Sequence, residues 1–293
     1  MKLLCAKLLA AGLLATLAAN LFAADLPAPE RVGTLDESIA ESSGLVPSPK
    51  HAGLFWTFGD SGNPPTLYAV DNKGALKAKL EIPGAKNEDW ESMAVDEQGR
   101  LIIGDTGDNN RQRAELRLMR LQEPDDLAKP GLKKEDVQTF QLHYPKDVGP
   151  QDTEALLVRA GFAYVFTKER KRVRCFRAPL GEAPPEAPLE LEFVAETDQI
   201  TLVTDASLTP DGKHLALLTY TKILVLDLPA AFEATAAEKD GKPKPFEGTA
   251  RARSILLGFG DQGQCEGLCW DGADLLISNE GRPLWRMKGI LKP

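Results

Sequence analysis

The sequence predicts an all-β protein, a β-propeller of five four-stranded blades closed by an N-terminal strand. Three observations carry this. Five times an acidic residue opens a short apolar run: Glu41 in ESSGLVPS, Glu91 in ESMAVDEQ, Glu154 in EALLVRAG, Asp205 in DASLTPDG and Glu266 in EGLCWDGA. A second apolar run then ends fourteen residues after the acid, at Asp105, Lys168, Thr219 and Glu280, while in the first copy Asp60 lies nineteen after Glu41. Lastly, the fifth repeat lacks an outer strand, and the segment ERVGTL at positions 30–35 is a spare one. Repetition at a fixed interval marks a repeat architecture, and borrowing a terminal strand closes the ring without leaving an open edge. A six-bladed ring is the alternative, with a hidden repeat in the long interval between positions 91 and 154.

The elements follow in order. The first repeat reads SGLVPS, LFWTFGD, TLYAVD and ALKAKLEI. The second reads SMAVDE, RLIIGD, ELRLMRL and VQTFQLHY, and the third EALLVR, FAYVFT, RVRCFRA and LELEFVAE. The fourth gives ASLTPD, HLALLTY, KILVLDL and ARSILLGF, and the fifth EGLCWD, DLLISNE and PLWRMKGI. These runs are rich in β-branched and aromatic residues and are bounded by Gly, Pro, Asn and Asp. Helical periodicity is confined to Ala230–Lys239, inside a polar insertion at about 230–248.

Composition bounds the partners. The chain has 293 residues, 43% hydrophobic and 27% charged, with a formal net charge of −8. That balance fits a globular protein with ample core material. It argues against nucleic acid or an anionic membrane as partner and is compatible with a cation. The N-terminus, with Lys2 and Lys7 before a run of Leu and Ala, predicts a signal peptide over 1–23 cleaved after Ala23. The mature chain, 24–293, is then a single propeller domain, periplasmic or secreted, monomeric and without a transmembrane segment. An uncleaved membrane anchor is the alternative. Cys175, Cys265 and Cys269 remain after cleavage. Cys265 and Cys269 are four apart on a predicted strand, on one face and about 13 Å apart, too far for a disulfide. Buried free thiols are the favoured reading, with a pairing to Cys175 in an oxidising compartment as the alternative.

In a propeller the first strand of each blade lines the central channel, and its start meets the end of the second strand at one face. Glu41, Glu91, Glu154, Asp205 and Glu266 are therefore expected to form a ring, with Asp60, Asp105, Glu280 and Asp108 around it and Lys168 as a counter-charge. So many carboxylates together need protons or a cation. An all-oxygen donor set favours Ca²⁺ or Mg²⁺, and Asp105-Thr-Gly-Asp108-Asn109-Asn110 has the composition of a cation-wrapping turn. The expected metal ligands are Glu41, Asp60, Glu91, Asp105, Glu154, Asp205 and Glu266, and the expected ion is Ca²⁺. The competing reading is that these acids cap strands, bond backbone amides or pair with arginines.

The motifs ESSGL, FGDSGNPPTLYAVD, DWESMAVDEQGRLIIGDTGDN, DTEALLV and EGLCWDGADLLISNEGRPLW, spread over residues 38–288, resemble a group of secreted bacterial β-propellers. They are similar to the phytase-like esterase, SdiA-regulated and gluconolactonase-type propeller families. The resemblance implies a propeller with an acidic, often calcium-occupied, central site. No complete catalytic signature accompanies these motifs.

Other motifs carry less. Gly59-Asp60-Ser61-Gly62 looks like the nucleophile segment of trypsin-like proteases, but GDTG at 104–107 occupies the same hairpin position. His51, His143 and His214 sit in no catalytic context, whereas a serine nucleophile needs a base and an orienting group. Lys168–Arg172 reads as a solvated turn whose first residue could bind an anionic substrate group. The tryptophans read as blade packing, with Trp90, next to Glu91, as the candidate substrate contact at the mouth. Two functions remain. One is a non-catalytic propeller that binds an envelope or extracellular ligand or a small molecule, and it is slightly favoured. The other is a metal-dependent hydrolase of an ester, lactone or phosphoester, with Asp105 or Glu280 as general base.

Overall fold

A computed structural model describes residues 26–198, 200–227, 249–254 and 264–291. Strand β1 (Glu30–Thr34) opens the described chain. Blade 1 follows with β2 (Ser42–Pro47), β3 (Leu54–Gly59), β4 (Thr66–Asp71) and β5 (Leu76–Glu81). Blade 2 has β6 (Trp90–Val95), β7 (Arg100–Asp105), β8 (Leu116–Gln122) and β9 (Gln138–His143). Blade 3 has β10 (Thr153–Arg159), β11 (Phe162–Thr167) and β12 (Val173–Pro179), then the two-residue β13 (Leu189–Glu190) and β14 (Glu192–Thr197). Blade 4 comprises β15 (Val203–Leu208), β16 (His214–Thr219), β17 (Lys222–Asp227) and β18 (Thr249–Ser254). Blade 5 comprises β19 (Cys265–Asp271), β20 (Asp274–Asn279) and β21 (Pro283–Met287). Among the described residues the only helical element is a 3₁₀ turn at Lys134–Asp136.

The order β1-β21-β20-β19 in the last sheet closes the ring. Glu30 pairs with Arg286 and Thr34 with Pro283, antiparallel, so the N-terminal strand is the outer strand of blade 5. Five sheets, one per repeat, replace the six-bladed alternative. The sequence reading differs in one strand. LELEFVAE does not form a single outer strand. Leu189–Glu190 pairs parallel with β9 of blade 2, and Glu192–Thr197 completes blade 3.

Burial follows position in the blade. β2, β6, β10 and β19 are buried on both faces, because neighbouring blades cover them on either side. The outer β5 (LKAKLE) and β9 (QTFQLH) bury only alternate residues, the pattern of a sheet edge. Five apolar clusters fill the wedges between successive blades. One joins blades 1 and 2 through Phe58, Trp90 and Met93, and the one between blades 5 and 1 holds Leu45, Leu276 and Leu284. Burial of apolar area there, at about 25 cal/mol per Å², is the main force holding the ring.

The first strand of each blade carries one extra residue relative to its partner. Trp90 pairs with Asp105 but Ser92 with Gly104, which leaves Glu91 as a bulge. The same irregularity falls at Glu154, Thr204 and Glu266, and in β2 it spans Ser43 and Gly44. A bulge interrupts the alternation of faces and re-aims one side chain. It corrects the cysteine reading. Cys265 lies in the cluster between blades 4 and 5 and Cys269 in the one between blades 5 and 1, on opposite faces of the strand. Cys175, Cys265 and Cys269 are free, buried thiols.

The expected signal segment 1–23 and the insertion 230–248, with its helical candidate, lie outside the described residues. No helix among the described residues is long and apolar enough to cross a membrane.

Candidate functional site

The bulges define the site. Aligned on them, the channel-facing positions of the five blades are Ser43, Glu91, Glu154, Thr204 and Glu266. Two residues earlier stand Glu41, Asp89, Asp152, Leu202 and Gln264. Four of these offer a backbone carbonyl to the blade's second hairpin strand: Asp60 N–H bonds Glu41 O at 2.9 Å, Thr106 bonds Asp89 O at 3.1 Å, Lys168 bonds Asp152 O at 2.9 Å and Glu280 bonds Gln264 O at 2.9 Å. The corresponding hairpin ends are thus Asp60, Thr106, Lys168, Tyr220 and Glu280. The mouth is built from these three tiers.

The predicted ring of five acids is corrected accordingly. Glu91, Glu154 and Glu266 occupy it; Glu41 and Asp205 do not. Glu41 sits two positions early, exposed, with φ of 50°, and its carboxylate accepts a bond from Asn63 Nδ2 at 3.1 Å. Asp205 sits one position late and is fully buried. Its carboxylate accepts the backbone N–H groups of Leu268 at 2.6 Å and Ala206 at 2.8 Å, and also that of Leu45. It ties the inner strands of blades 4, 5 and 1 together and is spent on structure.

Asp105 is also displaced, by one residue. Thr106 holds the mouth position, and the Asp105 carboxylate turns to Arg113 at 2.9 Å and Arg117 at 3.3 Å. It also caps the Asp89 amide at 3.0 Å. A carboxylate pinned by two guanidiniums is a poor general base and a poor ligand. Asp108 accepts the amides of Gln112 at 2.9 Å and Arg113 at 2.8 Å, and its own amide donates to Asp152 Oδ1 at 2.9 Å, so its carboxylate is taken by the backbone that follows the DTGDNN turn. Trp90 is fully buried, edge-on to Phe58 with 5.7 Å between centroids, and its indole N–H bonds Lys86 O. It packs the blade and does not reach the mouth. Glu280 is half-buried at the rim and accepts the Gln264 amide at 3.1 Å.

The acids that do converge are Asp60, Glu91 and Glu266, each offering an oxygen within 4.8 Å of the others. Ser43 Oγ lies 2.8 Å from Glu91 Oε2 and 3.2 Å from Glu266 Oε2. A hydroxyl carries one proton and can donate to only one of them. The other contact needs a protonated carboxyl or a cation between the oxygens. Glu154 is 1% exposed. Its Oε1 bonds Lys168 Nζ, and its Oε2 is buried without a hydrogen-bond partner. Such an orphaned buried oxygen is costly in a closed protein.

Electrostatics agree. Burial, then the charges of Glu154, Asp60 and Glu266, push Glu91 well above the usual carboxylate range. Burial and Glu280 raise Glu266 to about 8, opposed by Lys168. Burial raises Glu154, against the pull of Lys168, and burial raises Asp60 against a bond from the Ser61 amide. Asp89, which the sequence reading did not single out, rises to about 6 through burial and the nearby Asp60 charge. Burial works against the Lys168 ammonium, but Glu154 and Tyr220 outweigh it and raise its pKa. Its Nζ lies 5.1 Å from the centroid of the Tyr220 ring.

Among the mouth residues that the sequence reading missed, Ser43, Asp89, Asp152 and Tyr220 carry the chemistry, and Thr106, Thr204, Leu202 and Gln264 fill the other positions. Their signal was the strand register. Counting from the paired residues rather than from the nearest acid places them all. At the opposite end of the inner strands lies a cavity of about 600 Å³, lined by Val46, Ala94, Leu156, Ala206 and Trp270 among others.

No protein-family model matches the sequence, and no curated protein matches it. Solved structures do match. The PQQ-bound aldose sugar dehydrogenase of Streptomyces coelicolor is 11% identical with a TM-score of 0.50, the match covering 88% of this chain and 97% of that one. The glutaminyl cyclase of Myxococcus xanthus is 11% identical with a TM-score of 0.51, over 89% and 96%. At these identities the likeness speaks to architecture alone, and with the five closed sheets it identifies the chain as a β-propeller.

Proposed function

We propose that the protein is an exported β-propeller that binds Ca²⁺ at its axial mouth and uses that site to hold a ligand. The observation that carries this is the convergence of Asp60, Glu91 and Glu266 oxygens within 4.8 Å. The unpartnered Glu154 Oε2 supports it, as does the Ser43 hydroxyl shared between two carboxylates. The donors are all hard oxygens, the set that suits Ca²⁺ and Mg²⁺. Glu41, Asp105 and Asp205, expected from sequence as ligands, are outside this set. Export rests on the sequence of residues 1–23 alone.

Calcium titration of the mature protein, followed by calorimetry and melting, tests the reading. A cation that binds only the folded form at a hundredfold excess over Kd contributes about 2.7 kcal/mol, a rise in Tm of roughly 5–10 °C for a domain of this size. Glu266→Gln should remove most of that rise. Without calcium the same variant should melt higher than wild type, because it relieves like-charge repulsion. No heat of binding and no Tm change on chelation would sink the proposal.

One observation favours a hydrolase as the second reading. Asp89 is half-buried beside Asp60 and makes no hydrogen bond through its carboxylate to a described residue, and burial with the Asp60 charge pushes it up to about 6. That is near the optimum for a general base at neutral pH, and a bound cation would supply Lewis acidity to an ester, lactone or phosphoester. Asp89 replaces Asp105 and Glu280 in that role. Turnover of none of these three classes by calcium-loaded protein removes this reading and leaves the binding one.

A further inference from the structure

We infer that the organic ligand of the mouth is an amine, held beside the cation by its ammonium group, and not an anion. This rests on the cation reading for its position and goes beyond it in naming the ligand. The first argument is charge. Carboxylates occupy positions in all three tiers of the mouth, and their charges act on one another. The cations among them are spent: Lys168 on Glu154, and Arg113 on Asp105 at 2.9 Å. A divalent ion on Asp60, Glu91 and Glu266 leaves those three ligands with a net charge of about −1. Asp89, Asp152 and Glu280 add to it. An incoming anion meets repulsion, whereas a cation completes the neutralisation.

The second argument is hydrogen bonding. The mouth has acceptors to spare and few free donors: Arg113 Nη2, buried without a hydrogen bond, is held in an ion pair with Asp105 Oδ1 at 2.9 Å. Glu154 Oε2 is buried without a partner, and the Asp89 carboxylate has no hydrogen bond to a described residue. The Asn87 amide is used up on Gly59 O, Asp60 O and the Trp90 amide. A ligand that fits must donate, and an ammonium donates three times and accepts nothing. Finally, the mouth already seats one ammonium, that of Lys168, between a carboxylate and the Tyr220 ring. An aromatic face beside a carboxylate recognises such a group; this one is filled by Lys168, so the incoming amine is met by the carboxylates that remain. The anion-binding role expected of Lys168 is reversed, because its charge is consumed by Glu154.

Isothermal titration of calcium-loaded mature protein at constant ionic strength, with three probes of one length, tests this. They are 1,4-diaminobutane, 1,4-butanediol and succinate. The diamine should bind at least tenfold more tightly than the diol, weaken as salt is raised, and lose about tenfold in affinity in Asp89→Asn. The circular dichroism of that variant should match wild type, which shows that it is folded, and calcium is held at saturation before the diamine is added. Succinate or the diol binding as tightly as the diamine would overturn the inference. So would diamine affinity unchanged in Asp89→Asn, or a calcium response with no diamine binding. In that last case the cation reading survives alone. Calcium and diamine that expel each other share one spot, which overturns the arrangement of amine beside cation.

Discussion

Asp205 shows at the scale of one residue how near a pattern in sequence can come to a site and miss it. It opens an apolar run as Glu91, Glu154 and Glu266 do, but Thr204 occupies the bulge in its strand. Thr204 uses its hydroxyl to bond Cys265 O at 2.9 Å. Asp205, one residue on, points into the protein and gathers backbone amides from adjoining inner strands. Replacing it by Ala orphans those buried donors at about 1–3 kcal/mol each. Asp205→Ala should therefore cost about 3–5 kcal/mol, a fall in Tm of roughly ten degrees, with calcium affinity unchanged. Reduced calcium affinity at unchanged stability would restore the ligand role.

The element that decides closure is β1. Its pairing with β21 removes the exposed edge that the fifth repeat would otherwise leave. Gly33 sits where a Cβ would lie 2.0 Å from the backbone oxygen of Lys73, so the strand reaches its seat only without a side chain there. Gly33→Val should displace β1 and lower stability by about 2 kcal/mol or more. Hydrogen exchange should then quicken at residues 30–34 and at the facing amides of 283–287 before the rest of the molecule opens. Unchanged protection in this variant would refute the role of β1 as the closing strand.

For the whole molecule, the acidic mouth makes stability depend on pH in an unusual direction. Burial and Glu280 raise Glu266 from 4.5 to about 8, and Glu91 and Glu154 also rise. A carboxyl raised in the folded state holds its proton more tightly there than in the unfolded chain. Between about pH 4.5 and 8 the native state binds more protons, so stability falls as pH rises. Melting in chelator should therefore give a higher Tm at pH 5 than at pH 8. Calcium should narrow or reverse the difference, since the ion replaces the protons. A Tm in chelator that rises from pH 5 to pH 8 would contradict the protonated mouth.

The repeat count, the closure and, apart from the split outer strand of the third repeat, the order of strands are legible in the sequence alone. Those features depend on apolar runs, turn residues and a missing strand, all of which are local. The sequence also named three acids of the inner ring correctly, Glu91, Glu154 and Glu266, together with Asp60 and Lys168 at the hairpin ends. Tertiary structure decided the rest. One extra residue in a strand moves every later side chain to the other face, so the sequence interval of fourteen conceals whether an acid lies at the bulge or beside it. That single-residue shift separates Asp205 from the ring, gives Asp105 to two arginines, and divides Cys265 from Cys269. It also brings in Ser43, Asp89, Asp152 and Tyr220, whose place at the mouth is fixed by pairing across strands and not by the residues beside them.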